Sequence, residues 1–501
     1  MRVFLFILFF SFPAAAQSPD WPRVHALTVE GIDQLYNLEF DKSERTFEEV
    51  IRIAPDDPRG WFFKSMVHFY VFQLTRNRRA YDTFFELSET VIEKAETMAD
   101  NDPNDLNAKF YLGGIYGYRG LAYQRDGSVL SGVWDGRKGY NLLREAATGV
   151  HRSVDAQLGF GLFSYLISRI PRSYSWVLRL LGFEGDREGG LAMIKVAADS
   201  GVYTRTEAAF YYAQFCFFED RFDEAYSYMR RLLDRYPDNS LFVVTYATWE
   251  LRRDNVDSAI VYGEKAIAIN DRLKVRMGDE YAHSTLAAAW YAKNDFARAA
   301  RHWEEHIAKS ENTENIMNFV YYRLGISYEI LGNRQRAVET WRRMEATTDQ
   351  GKPWESVYWR RAQTWLREPL NDADIAMVVA GNDAQVGKFA SAVELYRAAV
   401  SASEGDVERR ASAMYGMVHA LYSCGEDAEV IRTAPLILML HPKRESWTEP
   451  HALYRLGQSY ARMGRTAEAR RSFERALKFD DYDWELSLEE KIEGELDKLE
   501  R

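Results

Sequence analysis

Cysteine is almost absent from this chain of 501 residues: only Cys216 and Cys424 occur, too few for a disulfide framework. Long apolar runs are missing too. Val3 to Phe12 is a run of ten and Leu158 to Ser168 an uncharged stretch of eleven, against the ~20 residues that a membrane-spanning helix needs. Positive charge is not in excess, since 64 Lys and Arg face 75 Asp and Glu for a net charge of −11. That balance argues against a nucleic-acid partner, whose phosphates call for a basic surface. The glycines between 110 and 190 never end in the Gly-Lys-Ser/Thr of a phosphate loop, and there is neither a G-x-S-x-G elbow nor a convincing Cys/His pair. A non-enzymatic chain without a cofactor is expected.

What the chain does have is internal repetition. Tyr321, Leu324, Gly325 and Tyr328, followed by Gly332, Ala337 and Trp341, recur as Leu453, Leu456, Gly457 and Tyr460, then Gly464, Ala469 and Phe473. Residues 321, 324, 325 and 328 are spaced i, i+3, i+4, i+7, so they form one stripe of a helix. Gly325 removes a side chain where a partner helix must come close, and Gly332 suits a helix end with a left-handed backbone. Looser copies keep the register: Ala213, Ala225 and Met229; Ala259 and Ala266; Leu286, Ala299 and Trp303; Ala380, Ala392 and Tyr396; Met414, Gly425 and Val430. Gly31, Phe47, Val50 and Pro55 form a degenerate first unit.

This pattern resembles the tetratricopeptide repeat (TPR). The resemblance implies an all-α fold, an α-α superhelix of antiparallel helix pairs that binds a protein or peptide on its concave face. The expected organisation is a leader at 1–16, an atypical helical region with degenerate repeats at 17–206 (Gly- and Tyr-rich at 110–190), repeats at 207–350 and 372–482, and a charged C-terminal helix or tail at 483–501. Between the two arrays, 351–371 (with Pro353, Trp354 and Trp365) is an extra helix or a break. In TPR proteins the first helix of each pair lines the groove, which here implies an inner wall of Phe210, Phe217, Tyr281, Tyr291, Phe319, Tyr322, Tyr415, Tyr422 and Tyr454. Arg252, Glu329 and Arg462 would set its polarity. The competing reading packs some of these rings between helices. Arginine doublets such as Arg230-Arg231, Arg342-Arg343, Arg360-Arg361 and Arg470-Arg471 read as solvated outer faces.

Arg2, the run Val3–Phe12 and Ala14-Ala15-Ala16 before Gln17 match a cleavable export signal. Its bacterial look predicts the periplasm, with secretion as the alternative. Asp100 to Asp105 superficially suits a calcium loop, but Asp105 and Tyr111 stand where Gly and Glu are required, so a capped turn is predicted. Gly113, Gly117 and Gly120 would make one close-packed helix face. Leu158 to Ser168 and Trp176 to Phe183 read as a buried hairpin, and 110–190 is also where peripheral contact with a membrane or an outer-membrane assembly or transport complex would occur. Both thiols should be free, because distant repeats of a solenoid do not touch.

One catalytic alternative exists. His302, Glu305 and His306 match H-x-x-E-H, with both histidines on one helix face as zinc ligands of a hydrolase would be. The repeat register instead gives Trp303 and His306 packing roles, so no metal is expected.

Overall fold

The computed structural model describes residues 18–500 apart from 76, 150, 171–175, 177, 179–181, 311–316 and 346–352. The predicted leader with its cleavage site, much of the run 176–183, and the side chains of Pro353 and Trp354 lie outside the described residues. Among those described there are 24 α-helices and no strand. The chain forms two compact units, Met1–Phe242 and Val243–Arg501.

Helices come in antiparallel pairs joined by one recurring turn. After Tyr36, Arg125, Phe218, Arg252, Ala292, Ile330, Gln385, Ser423 and Arg462, three residues lead into the next helix. The middle one of the three always has positive φ: Leu38, Gly127, Asp220, Asp254, Asn294, Gly332, Gly387, Gly425 and Gly464. At Gly332 the N–H of Asn333 donates back to the Tyr328 carbonyl at 2.8 Å, and Arg465 does the same to Tyr460 at 2.9 Å. This six-to-one closure satisfies carbonyls that a helix end leaves without partners, and it requires the left-handed residue.

Within a pair, a glycine on the first helix receives an aromatic ring from the second. A Cβ on Gly325 would lie 2.1 Å from the indole of Trp341, one on Gly457 2.5 Å from Phe473, and one on Gly31 2.5 Å from Phe47. Trp341, Phe473 and Phe47 are fully buried. The ring stands sixteen positions after its glycine in all three units, which identifies Gly31–Phe47 as a true first repeat.

The helices Leu106–Arg125 and Val129–Thr148 meet more closely still. A Cβ on Gly139 would come within 2.8 Å of both the Gly113 carbonyl and the Gly117 nitrogen, and one on Gly120 within 3.0 Å of the Gly132 carbonyl. Backbone touches backbone along this crossing, so the glycine face predicted at 113–120 is real and is matched by a second on the partner helix. Asp105 caps the first of these helices, accepting from Asn107 N and Ala108 N at 2.7 and 3.2 Å, as the capped-turn reading requires.

In the N-terminal unit the superhelix returns on itself. Arg235 donates to both oxygens of Asp33 at 2.9 and 2.8 Å, and Tyr236 Oη to Asp33 at 2.6 Å. Asn239 donates to the Tyr36 carbonyl at 2.8 Å, and His25 meets Tyr203 Oη at 2.9 Å. The premise that distant repeats never touch therefore fails here: the twist per pair carries the end of the fifth pair back to the first. Both cysteines are nonetheless free, Cys216 buried and Cys424 exposed.

Candidate functional site

In the C-terminal unit the first helices of successive pairs enclose a cavity of about 940 Å³. Tyr291 comes from Asp279–Ala292, Tyr322 and Arg323 from Asn318–Ile330, and Arg409, Tyr415 and His419 from Val407–Ser423. The helix Pro353–Arg367, inserted between two repeats, contributes Tyr358, Arg361 and Trp365. Its seat is set at both ends. Glu355 accepts from the backbone N–H of Asn318 at 2.5 Å, and Trp365 stacks against Tyr322 at 5.2 Å and leans on Trp341 at 5.6 Å.

The floor of the cavity is a fixed ion pair. Arg361 donates to Glu445 at 2.8 Å, and Trp447 Nε1 donates to the same carboxylate at 2.7 Å. Burial alone would raise the Glu445 carboxyl, but Arg361 beside it brings it below its ordinary value. The loop carrying Glu445 is held by Glu408, whose carboxylate accepts the N–H groups of Lys443, Arg444 and Glu445 at 2.9, 3.0 and 2.9 Å. Arg409 is tied to Asp374 and Asp406, and Arg360 to Asp483. Three cations line the cavity outside any ion pair among the described residues: Arg323, which lies over the Tyr291 ring at 5.2 Å, Lys443 and Arg444. Burial, then Arg455, lowers His419 to about 4, which leaves it a neutral ring at neutral pH.

Of the nine rings predicted for the inner wall, the cavity brings together Tyr291, Tyr322 and Tyr415. Tyr454 is buried against Phe473, and Tyr422 is sandwiched by Arg455 and Arg462 at 4.9 and 4.0 Å. Phe319 is half-buried edge-on to Trp303, and Tyr281 is 57% exposed away from the cavity. Phe210 and Phe217 belong to the N-terminal unit, the first half-buried against Phe242 and the second buried against Phe222. The packing reading therefore holds for Phe217 and Tyr454, because each faces the second helix of its own pair. Arg252, Glu329 and Arg462 do not line the cavity; Glu329 pairs with Arg334 and Arg462 with Asp427.

The outer-face reading of the arginine doublets holds for Arg230-Arg231 and Arg342-Arg343, which are exposed, and fails for half-buried Arg361, while Arg360 is exposed but also lines the cavity. That doublet lies on the inserted helix, which turns it toward Glu445 and Asp483. The periodicity of ordinary repeats carries no information about such an insertion. Its aromatic and Arg content, inside the 55-residue gap between the anchors Ala337 and Ala392, was the available signal.

The H-x-x-E-H residues do not converge. His302 Nδ1 lies 3.0 Å from His283 Nδ1, His306 Nδ1 bonds the Glu280 carbonyl at 2.9 Å, and Glu305 is exposed and paired with Lys309 at 3.0 Å. Burial lowers His302 to about 4. Trp303 between them is fully buried, as the register required. Among the described residues no group of three or more His, Cys, Asp or Glu is placed to hold a metal.

A groove built by the first helices of stacked hairpins defines a TPR-type helical-repeat scaffold, a fold that is typically non-enzymatic and points to protein–protein interaction. The family model Iml2/Tetratricopeptide repeat protein 39 matches residues 65–319, just over half of the chain, and the chain belongs to that family. A tetratricopeptide repeat model also matches 450–483. No curated protein matches. Among solved structures, human IFIT1 bound to PPP-AAAA is similar at 14% identity over 92% of this chain and 96% of that one, with a TM-score of 0.34. Yeast Tom70 is similar at 12% identity over 94% and 95%, with a TM-score of 0.26. A tetratricopeptide repeat protein from Parabacteroides merdae is similar at 12% identity over 57% and 97%, with a TM-score of 0.28. Likeness of this degree says nothing of what the chain binds.

Proposed function

We propose that this chain is a non-enzymatic scaffold of the bacterial cell envelope, exported by its leader, that holds a segment of a partner protein in the C-terminal groove. One observation carries the reading. The groove pairs stacked aromatic walls with three cations, Arg323, Lys443 and Arg444, that form no ion pair among the described residues. Rigid aromatics supply contact area at small entropic cost, and unpaired arginine favours acidic partners. The fitting occupant is an extended segment carrying acidic and apolar side chains.

A photo-crosslinking residue at Ser412, inside the groove, should trap a partner in the native envelope, whereas one at the exposed Glu394 on an outer helix should not. Tyr415→Ala should weaken capture by about thirtyfold, matching the ~2 kcal/mol typical of an aromatic hot spot, with melting little changed. Adducts from Glu394 and none from Ser412 would place the binding face elsewhere.

A second reading, peripheral contact with a membrane surface through 110–190, is favoured by exposed apolar residues in that stretch. Leu130 is 79% and Trp134 62% exposed, and Leu166 and Trp176 are exposed as well. No helix among the described residues is long and apolar enough to cross a membrane. Sedimentation with phosphatidylethanolamine/phosphatidylglycerol vesicles tests it. Burying one large apolar side chain contributes about 1.5–3 kcal/mol, so Leu130→Ser with Trp134→Ser should lower the bound fraction more than tenfold. Equal sedimentation of variant and parent rejects surface insertion.

A further inference from the structure

The N-terminal unit holds a carboxylate that the groove reading does not use. Glu207, in the first turn of Arg205–Phe218, is 8% exposed and accepts from Tyr118 Oη at 2.6 Å. The nearby Tyr70 hydroxyl also acts to lower the Glu207 carboxyl, and it is 3.1 Å from the hydroxyl of Tyr36. Tyr211 stands one turn further along the same helix. These four tyrosines come from the first helices of their pairs, the positions that face inward in a TPR superhelix. All four are half-buried, so part of each inward-facing side chain is open to water.

No Lys, Arg or His among the described residues pairs with Glu207. Burial pushes its carboxyl up, and only the two tyrosine hydroxyls act the other way. Elsewhere in this unit acids taken out of water have cations: buried Asp135 has Arg119 at 2.8 Å, and half-buried Glu219 has Arg169 at 3.0 Å. A carboxylate taken out of water without a counter-charge is costly, and a cation placed against it recovers that cost. Aromatic faces add to the attraction for an organic cation and repel an anion. A hard divalent ion would find one carboxylate where it needs six or more oxygens.

We propose that the tyrosine-ringed recess at Glu207 binds an alkyl-borne cation, an ammonium or guanidinium group. The head sits on the carboxylate and the alkyl stem lies among the rings of Tyr36, Tyr70, Tyr118 and Tyr211. The same chemistry is offered by a free amine and by a lysine or arginine side chain of a partner. The proposal stands independently of the C-terminal groove.

Calorimetric titration of the full chain tests it with n-butylammonium chloride, tetramethylammonium chloride, n-butanol and the peptide acetyl-Gly-Lys-Gly-amide. Saturable binding of n-butylammonium or of the peptide is expected, with at least tenfold weaker binding of n-butanol. Glu207→Gln should weaken the cation at least tenfold. Butylammonium binding as tightly as the peptide identifies a free amine as sufficient; preference for the peptide identifies a partner side chain. If Glu207→Gln does not fold, Tyr211→Leu, which removes one ring and keeps the acid, should weaken binding at least threefold. Tyr118→Phe, which frees the carboxylate of a donor, should retain it. No saturable cation binding, or equal binding by parent and Glu207→Gln, overturns the proposal.

Discussion

Arg361→Ala should destabilise the C-terminal unit by about 3 kcal/mol, the lower end of the 3–5 kcal/mol expected when one partner of a buried ion pair is removed. The lower end applies because 32% of the Arg361 side chain reaches solvent, against 18% for Glu445. What is lost is less the attraction itself than the cover it gives Glu445, a carboxylate left inside the groove with no counter-charge and with Trp447 still donating to it. Adding Glu445→Gln to Arg361→Ala should therefore restore most of the loss. Chemical denaturation followed by tryptophan fluorescence measures both. Arg397→Ala provides the comparison, since its pair with Glu394 is 56% and 71% exposed and is worth at most about 1 kcal/mol. Equal losses for Arg361→Ala and Arg397→Ala would show that the pair behaves as an ordinary surface contact.

Gly139→Val should be at least as severe, costing about 3 kcal/mol or more. Overpacking usually costs about 1–3 kcal/mol because neighbouring side chains give way. At Gly139 the obstacles are the Gly113 carbonyl and the Gly117 amide nitrogen, both 2.8 Å from the added Cβ. Neither can rotate aside, so the two helices must separate along the whole crossing. The matching control is Gly494→Ala in Glu485–Glu500, where a Cβ meets nothing within 4 Å. There the gain in helix propensity, about 1 kcal/mol, should stabilise. A Gly139→Val protein that melts with the parent would refute the backbone contact.

The repeat was legible where glycine marked it. Gly325 with Gly332, and Gly457 with Gly464, announce a close helix approach followed by a left-handed turn, and both pairs do those two jobs. Three other units blurred because the same left-handed position is filled by Asp220, Asp254 or Asn294, side chains that tolerate positive φ without advertising it. Leu38 is harder still to see, an apolar residue in a conformation that glycine favours. The groove was less legible than the fold. Register assigned Tyr291, Tyr322 and Tyr415 to the inner helices, yet Arg361 and Glu445 sit on an inserted helix and an inter-repeat loop, outside any repeated pattern. The buried Glu207 gave no sequence signal, since its surroundings are assembled from four helices over nearly two hundred residues.

The return of Arg235 and Asn239 to the first helix changes how the N-terminal unit comes apart. An open stack frays from its ends, each unit leaving at the cost of a single interface. Here the end units hold each other across about two hundred residues, so neither can peel away first. Such a loop is slow to close during folding, because long-range contacts reward the chain only after its entropy has been spent. Once shut, hydrogen exchange at Val24 and at Leu232 should proceed through one common opening.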